Sequence, residues 1–511
     1  LPLLRCDRAA MRDRFLLSDP NSQLLDSPYP YFVYDRNRET PNRYSEFQTM
    51  ITQPPRIKLL TMFQLGLYQM GLGMMSVLTL GVLNRIMIKE LAIPATIAAG
   101  AIAVHQFMAP ARLWFGQMSD AKPIAGYHRT GYVWIASVLF SLTAFLAVQV
   151  MWQVGASLQT AGWSLQTQIW IGVLGLVFAL YGLTLSAGST PFAALLVDVS
   201  EEEERSKLVG IVWSMLMVGI VVGAIVTSRL LPAEGAANLA ALRPAVDRVF
   251  VIIPGIVCGL CVLATLGVEK KYSRFSTRTT LNDREDQITL SRAIRVLTAS
   301  PQTGLFFTFL LFMTISLFMQ DAVMESYGGQ VFRMSVAETT RLNAFWGMGT
   351  LIGISSAGFA IVPRLGKTRT AKLGCVLVAA CMIFIIFTGF TANPKLLQSG
   401  LFLFGLASGV TTTGAISLML DLTAVETAGT FIGAWGLAQA LARALATIFG
   451  GGALDVGKAI FSNLTLSYAV VFGLQAIGML VAVGLLNRVD VKAFRNNTKA
   501  AISTILQGEL D

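Results

Sequence analysis

His105 lies within an apolar run from Leu91 to Phe115. An imidazole there is either a neutral nitrogen ligand for a metal or a polar bridge between helices. Gln64 or Gln69 would be the bridging partner, or Gln106 or Gln439 would serve as a ligand in its place. Arg443 stands well inside another apolar run, where an ionisable group is a functional site by default. Arg112, Asp198 and Asp421 fall near the ends of such runs, where long side chains reach headgroups and carboxylates find partners. Asp321 and Glu325 are one helical turn apart. On a continuous helix they would face one way and form a proton or cation site, although a solvated helix end has the same spacing. Cys258 and Cys261 have the spacing of a metal pair, but the apolar run Val249 to Val268 surrounds them with no second pair or histidine nearby. They read as small packing residues. No nucleotide loop, metal cluster or nucleophile–base pairing occurs in the sequence, so an enzyme is not expected.

These residues must be positioned by membrane helices. Of the 511 residues, 54 % are hydrophobic and 13 % are charged, against about 25 % charged in soluble domains. Twelve apolar runs reach the length of about 20 residues that spans a bilayer: 59–83, 92–116, 131–151, 168–198, 207–231, 249–268, 303–323, 342–362, 371–391, 398–421, 428–451 and 466–488. They divide the chain into a polar tail (1–58), a six-helix half (59–268), a charged linker (269–302), a second six-helix half (303–488) and a C-terminal tail (489–511). The first tail has no apolar core of a secretory signal. In the linker, Leu290, Ala293, Ile294 and Leu297 share one helical face, as in a helix lying on a membrane surface. The net charge of +10 comes from dispersed basic residues, without the dense patch that would bind nucleic acid. Of 39 Lys and Arg, 28 fall in the tails and even-numbered loops and 9 in the odd-numbered loops. That asymmetry places both termini in the cytoplasm.

Two spacings recur. Gly182, Asp198 and Gly210 are matched by Gly405, Asp421 and Gly433 at a constant offset of 223 residues, which points to parallel six-helix repeats. The loop after the second run, Gly116-Gln-Met-Ser-Asp120-Ala-Lys-Pro-Ile-Ala-Gly-Tyr-His-Arg129, resembles the Gly-x-x-x-Asp…Arg signature of major facilitator transporters. Six residues, Ala121 to Gly126, enlarge it. Gly116 would let two helices approach, Asp120 would face a helix N-terminus, and Arg129 would pair with a carboxylate. Ser335 and Glu338 form a capping-box pair that should open a helix.

Several dispersed segments resemble one branch of that superfamily, the PucC-type or bacteriochlorophyll-delivery family. They are Gln320-Asp-Ala-Val-Met-Glu325-Ser-Tyr-Gly-Gly-Gln-Val-Phe332, Leu83-Asn-Arg-Ile-Met-Ile-Lys-Glu90-Leu, Asp421-Leu-Thr423 and Gly433-Ala-Trp-Gly-Leu-Ala-Gln439-Ala. The resemblance runs from about residue 57 to 490, and the long loop looks most like cyanobacterial members that handle chlorophyll. Arg443 departs from the small or neutral residue the family pattern leads one to expect there. The resemblance implies an all-α membrane protein of major facilitator fold in a photosynthetic (thylakoid or cytoplasmic) membrane. It would hold or deliver chlorophyll or bacteriochlorophyll to light-harvesting or photosystem subunits. A secondary transporter of a small solute and a pigment-free scaffold for antenna subunits are the competing readings. His105 is expected to be structural within a pigment-handling protein.

Overall fold

The computed structural model describes residues 55–232, 239–273, 301–422 and 428–489, so the two tails and the linker's proposed surface helix lie outside the described residues. Within hydrocarbon each backbone amide must be satisfied inside its own segment, and the apolar runs fold accordingly as helices. In chain order these are α1 (Leu59–Ser76), α2 (Ala95–Phe107), α3 (Ala111–Ala121), α4 (Thr130–Ala161), α5 (Leu165–Val199), α6 (Glu202–Leu230), α7 (Leu239–Thr265) and α8 (Val268–Tyr272). They are followed by α9 (Pro301–Phe318), α10 (Met324–Val331), α11 (Val336–Ser356), α12 (Lys367–Thr391), α13 (Pro394–Leu422), α14 (Ala428–Ile460) and α15 (Leu464–Arg488). Eleven spans among the described residues are long and apolar enough to cross a membrane.

The second apolar run differs from the expected unbroken helix. It is split at Met108–Pro110 into α2 and α3, because Pro110 has no amide hydrogen to continue the ladder. Short-range bonds such as Ala111 N–H to Met108 O carry the chain through the break. The first span is longer than expected: α1 continues through the π-helical segments Val77–Leu83 and Ile86–Glu90. The seventh breaks after Phe318 into the 3-10 turn Met319–Ala322 before α10. Ser335 and Glu338 do form the capping box that starts α11.

Helix pairing repeats between the halves. In the first, α1 packs on α6 and α7, α4 on α5 and α7, and α2 on α5. In the second, α9 packs on α14 and α15, α12 on α13 and α15, and α11 on α13. The halves meet through two equivalent pairs, α2 with α14 and α6 with α11. The first glycine pair of the sequence repeat, Gly182 and Gly405, lies at matching contacts, whereas Gly210 faces open space. A Cβ on Gly182 would collide with the His105 backbone of α2, and one on Gly405 with the Trp346 carbonyl of α11. Asp198 ends α5, while the side chain of Asp421 lies outside the described residues.

Candidate functional site

At one end of the bundle, here the loop face, Arg129 is 1 % exposed and is the centre of a charge lock. Its guanidinium pairs with Asp120 at 2.5 Å and Asp198 at 2.9 Å and donates to Ser119 Oγ at 2.6 Å. The six extra loop residues do not separate these groups. Ile124 and Tyr127 exchange backbone hydrogen bonds of 2.9 and 3.0 Å around left-handed Ala125 and Gly126, and this tight turn folds the insertion away. Glu269 faces a helix N-terminus, accepting from the amides of His128, Arg129 and Thr130 at the start of α4. Among the described residues a Cβ on Gly116 would make only an ordinary 3.5 Å contact with Thr190.

Hydrogen bonds joining the halves gather at the opposite end among the described residues. Arg85, also 1 % exposed, donates to Ser335 O at 2.6 Å, Met334 O at 2.9 Å and Thr339 Oγ1. Asn84 donates to Ala322 O at 2.5 Å. Asp455 of α14 accepts from the amides of Ala95 and Thr96, and from the Thr96 hydroxyl, at 2.7–2.9 Å. Arg341 donates to Ser228 Oγ at 3.2 Å. Asp321 and Glu325 do not face one way, because the helix break between them redirects the chain. Glu325 is buried, accepts from Asn343 Nδ2 at 2.5 Å and occupies the space that Gly81 leaves by lacking a side chain. Asp321 accepts from Gln320 at 2.6 Å and lies within Coulombic range of Arg443.

Between the two ends, ionisable side chains of both halves converge. Arg443 of α14 lies within Coulombic range of Asp321 and of Arg112 on α3. Its guanidinium stacks 3.8 Å above the Phe318 ring, and its buried Nε has no hydrogen-bond partner among the described residues. Arg112 is exposed to the space beside it, without a carboxylate in ion-pair contact among the described residues. An arginine at mid-span costs roughly 2.5–3.5 kcal/mol on insertion scales, so Arg443 calls for compensation. His105 borders the same region, within Coulombic range of Arg112 and Arg443, and its ring meets Tyr181 edge-on at 5.7 Å. Its Nδ1 bonds the Ile102 carbonyl of its own helix. A carbonyl only accepts, so the proton is on Nδ1 and the Nε2 lone pair is left for another partner. Gln64 is not that partner, since it donates to Leu263 O and Leu266 O of α7 and beyond. Gln106 and Gln439 are half-buried, with no side-chain hydrogen bond of their own among the described residues.

Sequence reasoning missed Glu269, Asp455 and the sealing role of Asn84 and Arg85. The last two stood in a quoted family segment, but their partners are about 250 residues away. Asp455 had a faint signal, a carboxylate close to the end of an apolar run.

Solved structures with the same fold include a point mutant of the nucleoside transporter NupG, at TM-score 0.61 and 12 % identity over 84 % of this chain and 99 % of that one. A bacterial homologue of the human lysosomal transporter Spinster, inward-facing and unoccupied, matches at TM-score 0.59 and 15 % identity over 87 % and 97 %. These likenesses establish the major facilitator fold. In sequence, a Rhodobacter capsulatus protein named bacteriochlorophyll synthase 44.5 kDa chain is 28 % identical over 88 % of this chain and 99 % of its own length. Protein PucC of Rhodobacter capsulatus is 27 % identical over 84 % and 91 %. The family described as PUCC protein matches residues 82–494, which takes in Arg85, the loop lock and the Arg112–Arg443 region alike; the chain belongs to that family.

Proposed function

We propose that the protein is a membrane assembly factor that holds or delivers (bacterio)chlorophyll while light-harvesting or photosystem complexes are built. The observation that carries this reading is the open Nε2 of His105, a neutral imidazole nitrogen inside a membrane span of a photosynthesis-linked family. Its Nδ1–H is committed to a backbone carbonyl, the arrangement that fixes the ring of a ligating histidine. When bound there, a chlorin magnesium would complete the imidazole's coordination; the protein's part is to orient the ring and keep water out. Gln106 and Gln439 are alternative oxygen ligands. The bacteriochlorophyll synthase name of one relative does not make this chain an enzyme, as its fold is that of transporters.

The test is an absorption spectrum of gently purified protein, repeated for His105→Leu. The variant is expected to fold and to lose pigment or shift its absorption band. Its thermal stability should change by less than ~1 kcal/mol, because the imidazole's bond is to its own helix and a net hydrogen bond is worth about that much. Pigment retained with an unshifted band would remove His105 as ligand, and absence of pigment from the unaltered protein would remove the function.

Both termini and the 269–302 linker face the cytoplasm in this reading, supported by the Lys and Arg asymmetry. A cysteine placed at Thr277 should react with an impermeant maleimide only after the membrane is breached; reaction in intact cells would reverse the topology. Transport of a small solute is the second reading, favoured by charged side chains between two halves that are stitched together at one end. Uptake into vesicles would support it.

A further inference from the structure

Arg112 and Arg443 present an unusual balance of charge. They come from different halves, on α3 and α14, and lie within Coulombic range of each other. Neither makes an ion pair or a side-chain hydrogen bond among the described residues. Arg443 rests on the Phe318 ring with a buried, unpartnered Nε, and Arg112 is open to the space beside it. The other titratable groups facing them are His105, the Tyr68 hydroxyl and Asp321. His105 is neutral in the tautomer its bond to Ile102 fixes, and the Tyr68 phenol is uncharged at neutral pH. Among the described residues, two guanidinium charges face one Asp321 carboxylate, an excess of one positive charge.

Other buried arginines of the bundle have at least one carboxylate each. Arg129 has Asp120 and Asp198, and Arg85 has Glu90 at 3.4 Å with Glu325 nearby. The excess is therefore local to the space between the halves. A guanidinium pair is a fork-shaped donor set suited to a carboxylate, phosphate or sulfonate. It is positioned where helices of both halves would contact one ligand.

We infer that the space between the halves takes an amphipathic monoanion whose acidic group is held between Arg112 and Arg443. The ring or chain of the ligand lies against the apolar helix faces, and the acid neutralises the unmatched charge. The cargo class rests on the pigment-handling reading, in which the ligand is a tetrapyrrole with a free carboxylate rather than a fully esterified one; the anion site itself does not. An anionic lipid headgroup offers the same chemistry.

The experiment compares chlorophyllide a, which has one free carboxylate, with its methyl ester, by fluorescence titration of the full-length protein in detergent. Nanodiscs of phosphatidylglycerol and of phosphatidylcholine form the second arm, read as a shift in melting temperature. The acid is expected to bind at least tenfold more tightly than the ester. Arg443→Gln and Arg112→Gln should each abolish that preference, while Arg443→Lys keeps most of it. Asp321→Asn, which removes the competing carboxylate, should tighten the acid several-fold and serves where a glutamine variant fails to fold. Equal affinity for acid and ester, unmoved by these substitutions, overturns the anion site and leaves pigment binding intact. Arginine-dependent stabilisation by phosphatidylglycerol with no binding of either tetrapyrrole supports the anion site and overturns the pigment reading.

Discussion

Arg129→Met is expected to cost roughly 3–5 kcal/mol of stability, the range for breaking a buried ion pair by removing one partner. The reason is what remains rather than what is lost. Asp198 has a side chain 2 % exposed and Asp120 one 10 % exposed, and both would lose the guanidinium that pairs with them. Ser119 Oγ would lose its donor as well. Domains are stable by only about 5–15 kcal/mol, so a loss of this size removes a large share of the margin. Thermal unfolding and monodispersity of the purified variant in detergent measure it. A second variant separates charge from packing. Arg129→Met combined with Asp120→Ala and Asp198→Ala removes the two buried carboxylates together with their guanidinium and should recover part of the loss, a strong non-additivity within one network. A fall below ~0.5 kcal/mol for Arg129→Met alone would show that the lock is not structural.

This lock also marks how far the sequence can be read. Arg129 and Asp120 are spaced unlike the transporter signature, and only the turn at Ile124–Tyr127 shows why the spacing does not matter. The turn depends on left-handed Ala125 and Gly126, a backbone fact with a weak signature when Ala is one of the pair. The spans were legible because a bilayer requires long apolar helices, and that requirement is written in composition alone. The breaks within them were less so. Pro110 could have signalled the split between α2 and α3, whereas the turn after Phe318 has neither proline nor glycine at its start. That turn is what sends Asp321 and Glu325 to different neighbours. Asp455 and Glu269 were the least legible. Each works by accepting from backbone amides of a remote segment, and an amide leaves no mark in the sequence of its donor. The spacing of Gly182 and Gly405 was informative for the converse reason: a close helix approach restricts the residue type itself.

Removing the seal opposite the loop face should have the second large effect, on conformation rather than stability. Arg85 reaches from the end of the first span to two carbonyls and a hydroxyl of the second half, and Asp455 reaches back to the start of α2. Both are charge-assisted hydrogen bonds across the interface of the halves, each worth about 1.5–3 kcal/mol. In a fold whose halves rock against one another, these bonds exist only while that end is closed. Their loss therefore biases an equilibrium between open and closed forms. Arg85→Gln with Asp455→Asn should shift it by roughly 3–6 kcal/mol, enough to invert a population on the order of 1:99. A reporter cysteine at Ala337, which is 1 % exposed at the start of α11, reads the outcome. An impermeant maleimide applied from the side opposite the loop should label Ala337→Cys slowly in the otherwise unaltered protein. Labelling should be roughly 60- to 100-fold faster in the double variant, with Arg85→Gln alone in between. Background reaction is set by the same protein without the reporter, since Cys258 and Cys381 are only partly buried. An unchanged labelling rate in a folded double variant would mean that apolar packing of α2 on α14 and α6 on α11 holds this end shut by itself. The polar seal would then fix the register of the halves without controlling their opening.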